Sequence, residues 1–358
     1  MLNVLKLDTP EGFSSYTAKL SSIPISEPYH LPDYIEIFSG GVENLICFTF
    51  QTDAALYPIL MLGFLNPISI DGEKSDFFDF ITPYGYTGPI FYPNIESALI
   101  EEFWKEVDIW YNENNVVTEF IRFNLFGNQL SYSGFTVPTM LNIKGHIIDQ
   151  SIQWTSFDAK VRKNVNRAIR ENLTSTVYYK EIDENVVSEF YEIYIQTMKR
   201  TEAKASFFYE QNQFKLFVQN NKDNVAICTV YFENMAVSSE LLLVSDDSIY
   251  SFLGGTNENF FEKRPNDFLK VEALNWAREQ GKKYYILGGG YGFEDGIFKY
   301  KKSFFPNDVV SYYTGRKIIN QEVYRKLVDK VSKLRQLRGM EKLDLSDTSF
   351  FPLYNKNE

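Results

Sequence analysis

The order hairpin, strand, helix, strand occurs twice in this chain, and that recurrence limits the fold more than any compositional figure. In the first half, residues 44–50 (NLICFTF) read as a strand, 51–54 as a turn and 55–62 as a second strand. In the second half, residues 224–232 (NVAICTVYF) lead through Glu233 and Asn234 into a strand over 236–244. Apolar strands at 77–81 and 249–253 come next, closing on turn residues at 83–88 and 254–257. Each half then has a helix. Residues 95–111 place Leu99, Phe103, Val107 and Trp110 on one face, and residues 266–280 do the same with Phe268, Val271, Leu274 and Ala277. Both helices feed a strand, at 117–124 and 284–287, so corresponding elements recur at an offset of about 165 to 180 residues. This pattern predicts two copies of one α/β unit, the competing explanation being coincidence between two ordinary α/β stretches.

A chain of 358 residues exceeds the usual size of one hydrophobic core. The expected division is a first domain over 1–150, a second over 151–318 that includes a basic linker helix at 158–172, and a C-terminal helix and tail over 319–358. The 31 Phe and 24 Tyr favour aromatic-rich sheets and a groove for a large, partly apolar ligand. A formal net charge of −11 argues against general nucleic-acid binding while leaving room for a local basic patch that takes a phosphorylated ligand. Cys47 and Cys228 lie apart in apolar runs, which supports neither a disulfide framework nor a zinc knuckle. His30 and His146 lack a partner at metal-ligand spacing, so no metal site and no Ser-His-Asp hydrolysis is expected. The first residues do not resemble a secretion signal, and no run reaches the roughly 18 apolar residues of a membrane span. A soluble, cytoplasmic protein is expected.

Residues 283–305 (KYYILGGGYGFEDGIFKYKKSFF) carry the densest chemistry. Gly288, Gly289 and Gly290 follow a buried strand and would let a ligand approach backbone N–H groups. Glu294 and Asp295 offer proton acceptors, and Lys299, Lys301 and Lys302 offer positive charge. The plain alternative is a tight turn into a solvated basic strand. Residues 158–172 form a helix with Val161, Val165, Ala168 and Ile169 on the apolar face and five cations elsewhere. Arg162, Lys163 and Arg167 on that helix would hold a phosphate, or would simply form a solvated face. The helix over 186–204 turns Phe190, Ile193, Tyr194 and Thr197 inward and ends on Met198, Lys199 and Arg200. A closing helix over 321–338 sets Tyr324, Leu327, Val331 and Leu334 against six lysines or arginines; it either packs on the body or touches an anionic membrane surface peripherally.

Taken in order, the segments DFITPYGYTGPI (79–90), FIRFNLFGN (120–128), VRKNVNRAIREN (161–172), FYEIYIQTMKRTEAKASFFY (190–209), FLGGT (252–256) and the glycine-to-lysine stretch resemble the FemAB-like branch of the GNAT acyltransferase superfamily, often associated with envelope polysaccharide. The resemblance covers most of the chain. It implies a mixed α/β (α+β) fold of two tandem GNAT-like domains, each a mostly antiparallel sheet flanked by helices. It also implies transfer of an acyl or aminoacyl group to an amine of an amino-sugar or envelope precursor. No tightly bound cofactor is implied; acyl-CoA or aminoacyl-tRNA would be the co-substrate. Tyr84, Gly85 and Tyr86 match the family's TPYGY turn, Arg122 its RF strand, Arg162 and Lys163 its basic helix, Arg200 its TMKR helix and Lys301 its aromatic-Lys segment. The chain departs at Asn124, where relatives commonly carry histidine, and at Gly296, where serine is usual. It also lacks the Arg/Gln-x-x-Gly-x-Gly/Ala loop with which ordinary GNAT enzymes hold the coenzyme A pyrophosphate.

Aminolysis of an activated ester asks for alignment, a polarised carbonyl and a proton acceptor. The expected roles are N–H donation to the oxyanion around 287–290, charge neutralisation by Lys301, proton acceptance by Asp295 or Glu294, and acceptor positioning or leaving-group protonation by Tyr84 or Tyr86. Two other readings compete: a duplicated module that only binds a glycan or nucleotide-sugar, and RNA recognition by the basic helix with tRNA as donor.

Overall fold

The structure is a computed structural model that describes residues 1–53 and 55–356; Ala54, which ends the expected turn over 51–54, and Asn357 and Glu358, in the expected tail, lie outside the described residues. The chain begins with β1 (Leu2–Lys6), α1 (Pro10–Ser22) and α2 (Pro32–Phe38). The first copy follows as β2 (Leu45–Phe50), β3 (Ile59–Ile70), β4 (Glu73–Ile81), α3 (Ser97–Glu113) and β5 (Val116–Arg122). Then come β6 (Phe135–His146), α4 (Gln150–Ser156), α5 (Ala159–Arg170), β7 (Thr174–Tyr179), α6 (Glu184–Arg200) and α7 (Gln211–Asn220). The second copy is β8 (Val225–Phe232), β9 (Met235–Val244), β10 (Ser248–Thr256), α8 (Pro265–Glu279) and β11 (Tyr284–Gly288). It is followed by α9 (Gly296–Lys302), β12 (Val309–Ile318) and α10 (Gln321–Leu337).

The two copies pair their strands identically. β2–β3 and β3–β4 are antiparallel and β4–β5 parallel; β8–β9 and β9–β10 are antiparallel and β10–β11 parallel. The parallel step is where the helix intervenes, as a crossover requires. β1 adds antiparallel to β2, and β7 to β8. Each copy gains a sixth strand from chain that follows the other copy: β12 lies antiparallel to β5 through Thr314–Ile318, and β6 lies antiparallel to β11 through Ile143–His146.

The chain clusters into two units, one of residues 1–24, 38–139 and 312 onward, the other of 25–37 and 140–311. These bounds differ from the sequence division for identifiable reasons. Residues 140–150 contain the end of β6 that pairs with β11. Residues 25–37 bring Tyr29 edge-on to Tyr250 at 5.2 Å and Asp33 to the side-chain amide of Asn221 at 3.0 Å. The closing helix is part of the first unit because Tyr324 and Val328 of α10 pack with Ile68, Ile70 and Val117. No described helix is long and apolar enough to cross a membrane.

Helix faces follow the expected period with one shift. α3 buries Ile100, Phe103, Trp104, Val107 and Tyr111, one position round from the expected stripe, leaving Leu99 and Trp110 half-buried. α8 buries Phe268, Val271, Leu274 and Ala277 as expected, and also Lys270. α5 buries Val161, Val165 and Ala168 against the second unit's core, while Ile169 is exposed.

Candidate active site

In the second unit β10 and β11 part company. Their ladder covers only Ser248–Tyr250, whereas β10 stays paired to β9 as far as Thr256, with a bulge between Ser251 and Leu253. A bulge bends the strand that carries it, so the second half of β10 turns away from β11. In the first unit the equivalent ladder runs to the end of β4 at Ile81, and Thr82 N still reaches Phe120 O at 3.0 Å.

The parting of β10 and β11 opens a cavity of about 630 Å³ lined from β9, β10, α6, α8 and α9. Gly255 lets α6 come close: a Cβ there would lie 2.2 Å from Thr197 Oγ1 and 2.8 Å from Ile193 O. Thr197 in turn accepts from Thr256 N at 3.3 Å, which ties the helix to the cavity wall. Gly255→Ala is therefore expected to cost about 1–3 kcal/mol through overpacking. Denaturant unfolding measures it, and an unchanged midpoint would mean that α6 shifts freely.

The lining carries the cations Arg200, Arg264, Lys270 and Lys301 and the carboxylates Glu240 and Asp267. Lys270 and Glu240 form a buried ion pair at 2.5 Å, with side-chain exposures of 9% and 7%. Ser251 donates to the same carboxylate oxygen at 2.5 Å and accepts from Lys270 Nζ at 2.8 Å, and Tyr285 OH donates to the other oxygen at 3.1 Å. Lys301 Nζ donates to Gly289 O at 2.6 Å. Burial, with the nearby charge of Lys270, pushes the Lys301 ammonium down to about 8, although Glu240 and Asp295 pull the other way. Burial raises the Asp267 carboxyl against the hydrogen bond from Asn164 and the charges of Arg264 and Lys160.

Of the residues expected from the sequence, Lys301 and Arg200 line this cavity; the Arg200 guanidinium lies 4.8 Å from the centroid of the Phe261 ring. The segment carrying Lys301 is the helix α9, not a strand, because Asp295 caps it by accepting from Phe298 N at 2.8 Å. That cap gives Asp295 a structural role as well as the one expected. Its carboxylate also gathers Tyr291 N and Gly292 N, and these backbone bonds, led by Phe298 N, hold its carboxyl below the usual range, which makes it a poor proton acceptor. Glu294 is exposed, has φ 53° and does not line the cavity. Gly288, Gly289 and Gly290 do not line it either: Gly288 has φ 73°, Gly289 offers a carbonyl to Lys301, and a Cβ on Gly290 would lie 2.0 Å from Asp295 Oδ1. The glycine turn shapes the loop rather than presenting N–H groups to the cavity.

Two cations of the basic face of α5, Arg162 and Arg167, are engaged locally. Arg162 donates to Thr155 O at 3.0 Å and to Phe157 O. Arg167 pairs with Glu262 at 3.5 Å and Glu171 at 4.0 Å, and Lys163 is exposed. The remaining expected residues belong to the first unit and meet around Tyr312. Tyr312 OH donates to Gly85 O at 3.4 Å, and the Tyr86 ring stands edge-on to Tyr312 at 5.8 Å. Arg122 donates to Thr82 O and lies over Phe120 at 5.1 Å, while Tyr84 is 63% exposed. Sequence reasoning missed Glu240 and Lys270. The available signal was a carboxylate and a lysine inside apolar runs, SSELLLV and DFLKVEAL, whose neighbours are buried.

Residues 159–302 match the model of an acetyltransferase (GNAT) domain, a span that contains every residue lining the cavity. No curated protein matches the chain by sequence. Among solved structures the chain is similar to FemX, with a TM-score of 0.61 and 13% identity, covering 87% of this chain and 97% of that one. It is also similar to L-PGS from Bacillus licheniformis (TM-score 0.52, 14% identity, 90% and 96% covered) and to a conserved protein of unknown function from Bacteroides thetaiotaomicron VPI-5482 (0.52, 11%, 88% and 99%). At these identities the structures speak for a shared fold, and the domain match speaks for the chemistry. By that match, residues 159–302 resemble an acetyltransferase domain of the GNAT type, and the chain shares the fold of FemX.

Proposed function

We propose that the second unit's cavity is the transfer site, where an acyl or aminoacyl group passes from an activated ester or thioester to an amine of an amino-sugar or cell-envelope precursor. The observation that carries this reading is the cavity's charge. Four cationic side chains against two carboxylates form a positive lining in a chain of net charge −11. Such a lining suits a donor that bears phosphate, as both acyl-CoA and aminoacyl-tRNA do. Either would come and go as co-substrate. Lys301 faces the donor's phosphate or the charge that develops on the carbonyl oxygen, and Arg200 helps hold the donor.

Tyr84, Gly85, Tyr86 and Arg122 are proposed, within the first unit by itself, as sugar-binding residues, since aromatic rings and a guanidinium suit a sugar with an anionic substituent. So does action in the cytoplasm, with α10's basic face available to an anionic membrane surface. Mass spectrometry of candidate amino-sugars and envelope precursors, incubated with acyl-CoA or with charged tRNA, is expected to show the acceptor heavier by the acyl group. Acceptors left unchanged by both donor classes would remove the reading. Salt separates the donors: tRNA-dependent transfer should fall steeply between about 50 and 200 mM salt, and transfer from a small thioester much less.

A further inference from the structure

We propose that the Ser251 hydroxyl carries the proton at the reacting centre, passing its own hydrogen to Glu240, with Lys270 as the residue that positions both. The inference rests on the transfer reading and adds to it a group that the sequence did not single out. Ser251 is the first residue of β10 beyond its ladder with β11, so it sits where the two strands begin to part, and it lines the cavity. Its oxygen is held from two sides: it accepts from Lys270 Nζ at 2.8 Å and donates to Glu240 Oε1 at 2.5 Å. A hydroxyl oxygen has two lone pairs, so one remains for an incoming proton while the hydroxyl hydrogen already points at a carboxylate.

Stability alone is a weak reason for this arrangement. A buried ion pair recovers its desolvation cost only through further hydrogen bonds, and apolar side chains of similar volume would hold α8 on the sheet at least as well. Charged groups buried at the wall of a cavity, by contrast, are a common mark of chemistry.

The step balances as follows. Addition of the acceptor amine to the donor carbonyl forms the C–N bond and leaves the nitrogen positive. Ser251 Oγ takes one N–H proton as its own hydrogen passes to Glu240 Oε1. The carbonyl re-forms, the donor C–O or C–S bond breaks, and the leaving atom departs with the electron pair and takes a proton from the Lys301 ammonium. Water then removes the proton from Glu240 and returns one to Lys301.

The test uses a donor and acceptor pair that the wild type turns over. Ser251→Ala is expected to lower kcat about 100-fold, with KM for both substrates within about twofold. Its thermal midpoint should stay within about 2 °C of wild type. Ser251→Thr restores the hydroxyl and is expected to recover activity to within about tenfold of wild type. A Ser251→Ala enzyme with wild-type kcat overturns the relay and leaves the transfer reading standing. Equal losses in Ser251→Ala and Ser251→Thr, together with a lowered midpoint, assign a packing role and also overturn it. A wild type that transfers nothing removes the transfer reading and the relay together.

Discussion

Lys301→Met is expected to lower transfer about 10²- to 10³-fold in a protein that still folds, the range seen when one electrostatic contact to a developing charge is removed. Methionine keeps the apolar stem and removes only the ammonium, which donates to Gly289 O. Losing that charged hydrogen bond costs about 1.5–3 kcal/mol, well within the stability of a domain. Purified variant and wild type compared in the mass-spectrometric assay check the result; full turnover by the variant would take Lys301 out of the mechanism. A pH dependence accompanies it. With its proton lost at about 8, wild-type activity should decline as pH rises through about 8, if the ammonium is the working form. Stability moves the other way. The folded value lies below the unfolded 10.5, so between about pH 8 and 10.5 the unfolded chain binds more protons and the group's contribution to stability rises with pH. A rate that stays flat from pH 7 to 9.5 would contradict the assignment.

Lys270→Met should be the most destabilising single change in the second unit, by about 3–5 kcal/mol, because it strands the Glu240 carboxylate in a buried site. Ser251 and Tyr285 would still donate to that carboxylate, but neither carries the balancing charge. The double variant Lys270→Met with Glu240→Leu removes both charges and is expected to return most of the lost stability while remaining inactive. Urea unfolding of the two single variants and the double variant measures the coupling between the positions. If the double variant is as unstable as Lys270→Met, the cost lies in packing rather than in the stranded charge.

The duplication was legible because each copy repeats local patterns: period-two strands, turns rich in Gly, Pro and Asn, and a helix with one apolar face. Places where pairing is non-local were not legible. Nothing in FTVPTMLNIKGH says that its last residues lie beside Tyr284–Gly288, since register across distant segments is set by the folded sheet. The one-position shift on α3 has a similar origin. Trp104 and Tyr111 are buried because the sheet accepts large rings there, and Tyr111 and Tyr132 both bond the buried Glu119. At the site, Lys301 and Arg200 could be found from charge next to glycine and aromatic residues. The capping role of Asp295 was not legible, because the sequence shows an acidic residue but not the backbone N–H groups that it accepts from. Glu240 and Lys270 escaped because their importance lies in meeting each other across 30 residues, one from a strand and one from a helix.

That each six-stranded array borrows its last member from beyond the other copy has a consequence for how the polypeptide emerges from the ribosome. β5 ends at Arg122, yet its neighbour begins only at Val309, so the amino-terminal half must wait, one flank bare, until nearly the whole message has been read. The carboxy-terminal half has no such delay, because β6 is made before β11. Synthesis order and maturation order are therefore reversed: the part made second is the part that can close first.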